Sequence, residues 1–522
     1  MVNHQRRFGM WAQIVASVAV VLAGAAPLAA EVRLPRVFGS KMVLQRDLPL
    51  PVWGWAEPGE RVVIRLKDSE ASAAADADGR WSVKLAAIPA GGPYELTVAG
   101  TNKIVLKDVL VGEVWVCSGQ SNMAMLVGNS LDAEKEIAAA NHPTIRHLTV
   151  PRTLAGEPAE DVAIEWVVCS PETVKDFSAA AYFFGRTLKE KLDVPIGLIN
   201  TSWGGTRIEP WTASAGFAAV PSLAEISQAI EDANSDYRKA LVTYVGRVEA
   251  WVKAARASLA EKVTPSTMPA WPEHPLLAKG RAAPTVMYNA MVHPLVPYGI
   301  RGAIWYQGEG NVLSDDGMTY CEKMKALVGG WRAAWGQGDF PFYYVQLAPW
   351  RYTKRYPGDD GPVRLPQIWE AQSAALAIPN TGMAVTTDIG NLDDIHPKNK
   401  QEVGRRLALW ALAKDFGQKG LVYSGPLYKS MSVEGGTIRV AFDHVGGGLA
   451  ARDDKPLTWF QIAGEDQKFV DAKAVIDGGT VVVSSEEVAK PVAVRFGWRE
   501  DAEPNLMNKE GLPASAFRTD RW

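Results

Sequence analysis

An α/β domain flanked on each side by an all-β module is the fold class this sequence predicts, and three observations predict it. Five apolar runs, VGEVWVC, VPIGLIN, GAIWYQ, FYYVQL and GMAVTTD, recur along the middle of the chain. Helical stretches such as FSAAAYFFGRTLKEKL, MTYCEKMKALVGGWRAAW and LPQIWEAQSAAL lie between most of them, which is the alternation of a five-stranded parallel sheet with helices on both faces. Before and after this region the runs are short and alternating, and are punctuated by Pro-Gly, Asp-Gly and Gly-Gly pairs, as in hairpin-linked sheet.

Taken in order, the chain opens on a targeting segment. Arg6 and Arg7 precede the apolar stretch Trp11 to Leu22, and the small residues of AGAAPLAA then suit cleavage near Ala30. A membrane anchor is the competing reading, but the stretch is short and holds Gln13 and Ser17. Residues 1–30 are therefore expected to be a signal peptide, and the mature protein to be periplasmic or secreted.

Residues 31–108 form the predicted N-terminal β module, with LPLPVWGWAEPGE, RVVIRLKD, RWSVKL and YELTVAG as its strands and turns. The α/β domain is expected over 109–418. A helical excursion interrupts it from about 215 to 283, where SLAEISQAIEDANSDYRKALVTYVGRVEAWVKAARASLAEKV has long helical periodicity and leads into a Pro-rich loop. After the helix NKQEVGRRLALWALAKDFG, the runs TIRVAF, LTWFQIAG, TVVVSS and VAVRFGW predict a second β module over 419–522.

Composition narrows the function classes. The 522-residue chain is 47% hydrophobic and 22% charged with a formal net charge of −3, or −5 once Arg6 and Arg7 are removed. Nothing basic invites nucleic acid or an acidic membrane. Three cysteines, Cys117, Cys169 and Cys321, have no metal-ligand or redox spacing. They read as mostly buried thiols, with one bridge allowed by export.

Ligands in an open parallel sheet bind where loops leave the carboxyl ends of the strands. The first predicted strand ends in SGQSN, the second in NTSWGGTR, the third in QGEGN and the fifth in DIGNLDDIHP. Ser121 is expected at a helix start, where its own amide and its neighbours point toward developing negative charge. Asn122 and Met123 follow it, so it is not the G-x-S-x-G elbow. His396 is the candidate base, because it lies on a polar loop after Asp393 and Asp394 and before Pro397. Asp393, three residues back, can fold onto the imidazole on a short turn, and Asp394, two back, would more naturally point elsewhere or cap the next helix; the spacing leaves the choice between them open. Gly204 and Gly205 allow close backbone approach to a substrate oxygen, Gln307 is a possible amide donor, and Glu309 is placed to tune the histidine or to bind Arg207. Asn122, Arg207 and Asn311 are candidate substrate contacts. The remaining mature histidines, His142, His147, His274, His293 and His444, read as surface or capping residues.

These blocks resemble the sialate O-acetylesterase-type carbohydrate esterases of the SGNH hydrolase superfamily. The resemblance runs from LPRVFGSKMVLQRDLPLPVWGWAEPGE through VWVCSGQSNM, INTSWGGTRIEPW and GAIWYQGEGN to DIHPKNK and NKEGLPASAFRTD. It implies a five-stranded parallel SGNH-type, flavodoxin-like sheet, with Ser121 as nucleophile and His396 as general base. The implied oxyanion hole is the Ser121 amide, the Gly204 or Gly205 amide and the Gln307 side chain. Gln307-Gly308-Glu309 stands where typical superfamily members have Gly-x-Asn-Asp, and the orienting acid stays open among Asp393, Asp394 and Glu309. The implied chemistry is acyl transfer through an acetyl-enzyme on an O-acetylated saccharide, without metal or organic cofactor. Sialic acid and plant polysaccharide such as xylan or xyloglucan are alternative substrates. A non-catalytic carbohydrate-binding protein, stacking sugars on Trp203, Trp211, Trp305 and Trp350, is the reading from a different class.

Overall fold

The computed structural model describes residues 31–357 and 363–522; the predicted signal peptide lies outside the described residues. Two compact units make up the described chain, one from residues 31–34, 51–85 and 95–106, the other from 35–50, 86–94 and 107–522. The first unit is all-β. Arg61–Leu66 pairs antiparallel with Ser69–Ala74 and with the strand through Leu96 to Ala99. Its alternation buries Val62, Ile64 and Leu66 against Leu96 and Val98.

The central sheet contains β1 (Lys103–Gly119), which belongs to the second unit from residue 107 on, and, from that same unit, β2 (His142–Thr149), β3 (Val167–Cys169), β4 (Ile196–Ser202), β5 (Gly302–Tyr306), β6 (Phe342–Val345) and β7 (Thr381–Ala384). Across the sheet the order is β7-β6-β5-β1-β4-β2-β3. Only β3 runs antiparallel, against β2. The five expected strands run in the doubly wound order 2-1-3-4-5, but β2 adds a sixth parallel strand and β3 an edge. The count of five is therefore corrected. The run HPTIRHLT hides its strand because Arg146 and His147 sit at buried positions beside Ile145 and Leu148. Arg146 is paired with Asp108 at 2.8 Å, and His147 stacks on Phe177 with ring centres 4.3 Å apart. His147 is thus a core residue and not a surface one, and burial pulls its imidazole down to about 4.

The helices used below are α1 (Ser121–Ala124), α2 (Ala179–Leu192), α3 (Ala224–Ala260), α4 (Glu309–Val312), α5 (Thr319–Trp335) and α6 (Lys400–Lys414). Helix α2 begins where Ser178 accepts the Ala181 N–H at 3.2 Å, and α6 where Asn399 accepts that of Glu402 at 3.1 Å. Adjacent residues of β6 show that both faces of the sheet are covered, because neighbours in a strand point oppositely. Tyr343 packs on Trp115 and on Trp410 of α6, while Phe342 packs on Trp331 of α5.

Helix α3 fills most of the expected excursion and is largely solvated, with only Ile230, Tyr237 and Ala255 buried. The C-terminal part of the unit holds two four-stranded antiparallel sheets and a two-stranded one, Leu449–Ala451 with Leu506–Asn508. The two larger sheets share a core of Ile438, Val440, Phe460, Val481, Val483, Phe496 and Phe517. Cys117, Cys169 and Cys321 are buried free thiols, so no bridge forms among them. No helix among the described residues is long and apolar enough to cross a membrane.

Candidate active site

Strand β1 ends at Gly119, level with Ser202 of β4 and Tyr306 of β5. The chain crosses from one side of β1 to the other between β4 and β5, so three segments leave the sheet around one crevice. Gly119 has φ 139°, and a Cβ there would stand 2.2 Å from the Tyr306 carbonyl oxygen. Only glycine lets β1 turn this close to β5. Gln120 follows, and Ser121 opens α1.

Ser121 lines a cavity of about 730 Å³ together with Trp203, Gly204, Arg152, Arg281, Asp394 and His396. Gly204 packs directly on the serine, where an added Cβ would lie 3.2 Å from the Ser121 Cβ. Arg281, from the end of the helical excursion, donates to the Gly204 carbonyl oxygen at 3.3 Å.

His396 comes from the loop between β7 and α6. The Asp394 carboxylate accepts the His396 backbone N–H at 2.9 Å and stands 3.6 Å from its Nδ1. A side-chain oxygen taking the N–H two residues on closes an Asx turn, and this turn sets Asp394 against the imidazole. Asp393 points away, mostly exposed, and pairs with Arg351 at 3.2 Å and Lys354 at 3.7 Å. Of the two aspartates between which the spacing left the choice open, Asp394, two residues back, is the one beside the imidazole, because the turn is tighter than the three-residue return that Asp393 would need. Burial pulls His396 below the ordinary histidine range; Asp394 opposes this, and Lys400 adds to it.

Several expected contacts do not reach the cavity. Gln307 is fully buried, and its amide nitrogen donates to Asn311 at 2.7 Å and to the Thr206 carbonyl and Gln120 at 3.1 Å. With its hydrogens engaged, Gln307 cannot serve an oxyanion in this arrangement. Asn311, also fully buried, donates to Asp316 and Glu209 and accepts from Ile208 and Gln307. Asn122 is buried as well: it donates to Glu309 at 2.5 Å and to the Ile395 carbonyl at 2.9 Å, and accepts from Lys400 at 2.7 Å. These two asparagines are framework and not substrate contacts.

Glu309 is buried with Oε1 on Asn122 and Oε2 unpartnered among the described residues. Burial pushes its carboxyl up, and it has no bond to His396. Arg207 leans toward Glu209 at 3.8 Å, and neither it nor Gly205 lines the cavity. Gly205 takes the left-handed φ of 69° that turns the chain after Gly204.

Sequence reasoning missed Lys400, Arg152, Arg281 and Lys398. Lys400 stood inside the quoted DIHPKNK, but nothing local marks a lysine as buried. Lys398 stood in the same block, and Arg152 and Arg281 come from separate segments with no shared pattern. The assembled group is a serine hydroxyl at a helix start, a histidine with a carboxylate 3.6 Å from one ring nitrogen, and the Gly204 backbone packed on the serine. Such a set can deprotonate the hydroxyl and stabilise an oxyanion.

The same segments carry the likeness to known proteins. The family model of carbohydrate esterases described as sialic acid-specific acetylesterases matches residues 111–265 and 276–413. Sialate O-acetylesterase of Pongo abelii is 32% identical over 436 residues, which cover 76% of this chain and 73% of that protein. The Homo sapiens protein of the same name is 31% identical with the same coverage. Among solved structures, a carbohydrate acetylesterase from Xanthomonas citri superposes with a TM-score of 0.79 at 37% identity, covering 94% of this chain and 100% of that one.

Proposed function

Because the chain belongs to the carbohydrate esterase family of sialic acid-specific acetylesterases and is a carboxylic ester hydrolase, we propose that it removes O-acetyl groups from sugars through an acetyl-enzyme formed on Ser121. The observation that carries this reading is the shared cavity of Ser121, Gly204, Asp394 and His396. Asp394 holds Nδ1 of His396, leaving Nε2 to take the Ser121 proton. The serine oxygen then attacks the acetyl carbonyl, and the oxyanion is met by the backbone amides of Ser121 and Gly204. The imidazolium returns its proton to the departing sugar alcohol. Water, deprotonated by the same imidazole, then releases acetate and restores the serine. Catalysis is assigned to residues 109–418, with 31–108 and 419–522 as accessory β modules, and the Arg6-Arg7 leader assigns the protein to the periplasm or the exterior.

Arg152, Arg281 and Lys398 line the cavity, and none is ion-paired among the described residues. Unpaired cations beside the reacting centre favour an acidic sugar, in keeping with relatives named sialate O-acetylesterases. The second reading, an acetylated neutral polysaccharide such as xylan or xyloglucan, draws on Trp203, whose ring on the same wall would stack on any pyranose. Acetate release from O-acetylated sialic acids, acetylated xylan and acetylated xyloglucan separates the two. Turnover of the sialic acids that Arg281→Gln weakens, with aryl acetate hydrolysis unchanged, supports the acidic sugar. Turnover of the polysaccharides alone overturns it.

A further inference from the structure

Lys400 is a charged residue in an enclosed position that the acyl-transfer steps above do not use. It opens α6, is fully buried, and contacts no carboxylate directly. Its ammonium donates to the Asn122 side-chain oxygen at 2.7 Å and to the Pro397 carbonyl at 2.6 Å, and lies 5.2 Å from the centre of the Tyr306 ring. Asn122 immediately follows Ser121, and Pro397 immediately follows His396. The two residues of the proposed dyad come from segments about 275 positions apart in the chain, and one nitrogen binds the chain neighbour of each. Asn122 adds a second tie by donating to the Ile395 carbonyl.

We infer that Lys400 is a positioning residue, which holds the His396 loop in register against the nucleophile helix through Asn122 and Pro397 and places a positive charge beside the imidazole. This rests on the reading of Ser121 and His396 as nucleophile and base. A purely structural residue here would need only donors, and a neutral amide supplies those without the cost of enclosing an ammonium. The titratable groups facing Lys400 are Glu309, Asp394 and His396, with the Tyr306 ring beneath it. Burial pulls the ammonium down to about 7, against the opposing pull of Glu309 and Asp394. After losing a proton the amine still has two hydrogens for its two acceptors, so the tie persists above that pH.

The sign of the electrostatic effect follows. A cation near His396 lowers the imidazole's proton affinity, and below neutral pH, where the base loses activity by protonation, Lys400 is charged. The test is Lys400→Met in the full chain, assayed with 4-nitrophenyl acetate across pH 4 to 9 beside wild type and Ser121→Ala, with thermal melting of each. The expected result is a kcat lower by roughly 10²-fold, the cost of a misplacement near 1 Å. KM should change little, and the acid limb of kcat/KM should move to higher pH. Should the methionine variant not fold, Lys400→Gln replaces it: the same upward move of the limb is expected, with a smaller loss of kcat because the amide keeps N–H donors for the tie. A folded variant with wild-type kcat and an unmoved limb overturns the inference while Ser121→Ala stays inactive. Wild-type turnover by Ser121→Ala overturns the nucleophile assignment itself, and this inference with it.

Discussion

At His396 the arrangement makes a distinction between two adjacent carboxylates. Asp394 closes a turn onto the imidazole, while Asp393 faces Arg351 at the surface. Asp394→Asn is expected to lower kcat on the order of 10²- to 10⁴-fold, because the neutral amide no longer fixes the imidazole or stabilises its cation. Asp393→Asn is expected to stay close to wild type, since exposed pairs contribute little. The pH profile supplies an independent check. His396 must be neutral to act as a base, and burial lowers its proton affinity. Activity on aryl acetates should therefore persist to a lower pH than an ordinary histidine allows, with the acid limb of kcat/KM below about 6.5. Asp394 works against burial, so its replacement should move that limb lower still, opposite to the direction expected for loss of Lys400.

Elements bring these residues together by close approach. Gly204→Ala would push a methyl to 3.2 Å from the Ser121 Cβ, displacing the serine or the amide beside it. A fall in kcat of about 10²-fold or more with an unchanged melting profile is the expected outcome, comparable to losing one oxyanion donor. Away from the cavity, Trp331 of α5 is fully buried between Trp305 and Phe342 and donates to the Trp211 carbonyl at 2.9 Å. Trp331→Ala should cost about 3–5 kcal/mol of stability, seen as a lower denaturation midpoint, with the site intact in the molecules that remain folded. The five core strands were legible because both of their faces are buried and they read as uninterrupted apolar runs. Strand β2 was not, because its inward positions are taken by Arg146 and His147, which are accommodated by an ion pair and a ring stack that no local pattern announces.

Across the whole molecule, loop chemistry was easier to read than loop geometry. Ser121, Gly204 and His396 could be picked out because strand-end loops rich in small and polar residues are where a parallel sheet presents ligands. Which aspartate faces the imidazole depends on a single turn, and whether Gln307, Asn311 or Asn122 meets substrate depends on partners far away in sequence. Those amides are consumed by the framework that fixes the cavity, and Lys400 belongs to the same framework. The account depends most on a covalent acetyl-serine. Rapid acid quench of the protein during turnover of an activated acetate ester, followed by peptide mapping, measures it directly. An acetyl group on the peptide carrying Ser121, absent from Ser121→Ala, is the predicted result. Steady turnover with no acetylated peptide at any quench time, or acetylation at a different residue, would contradict it.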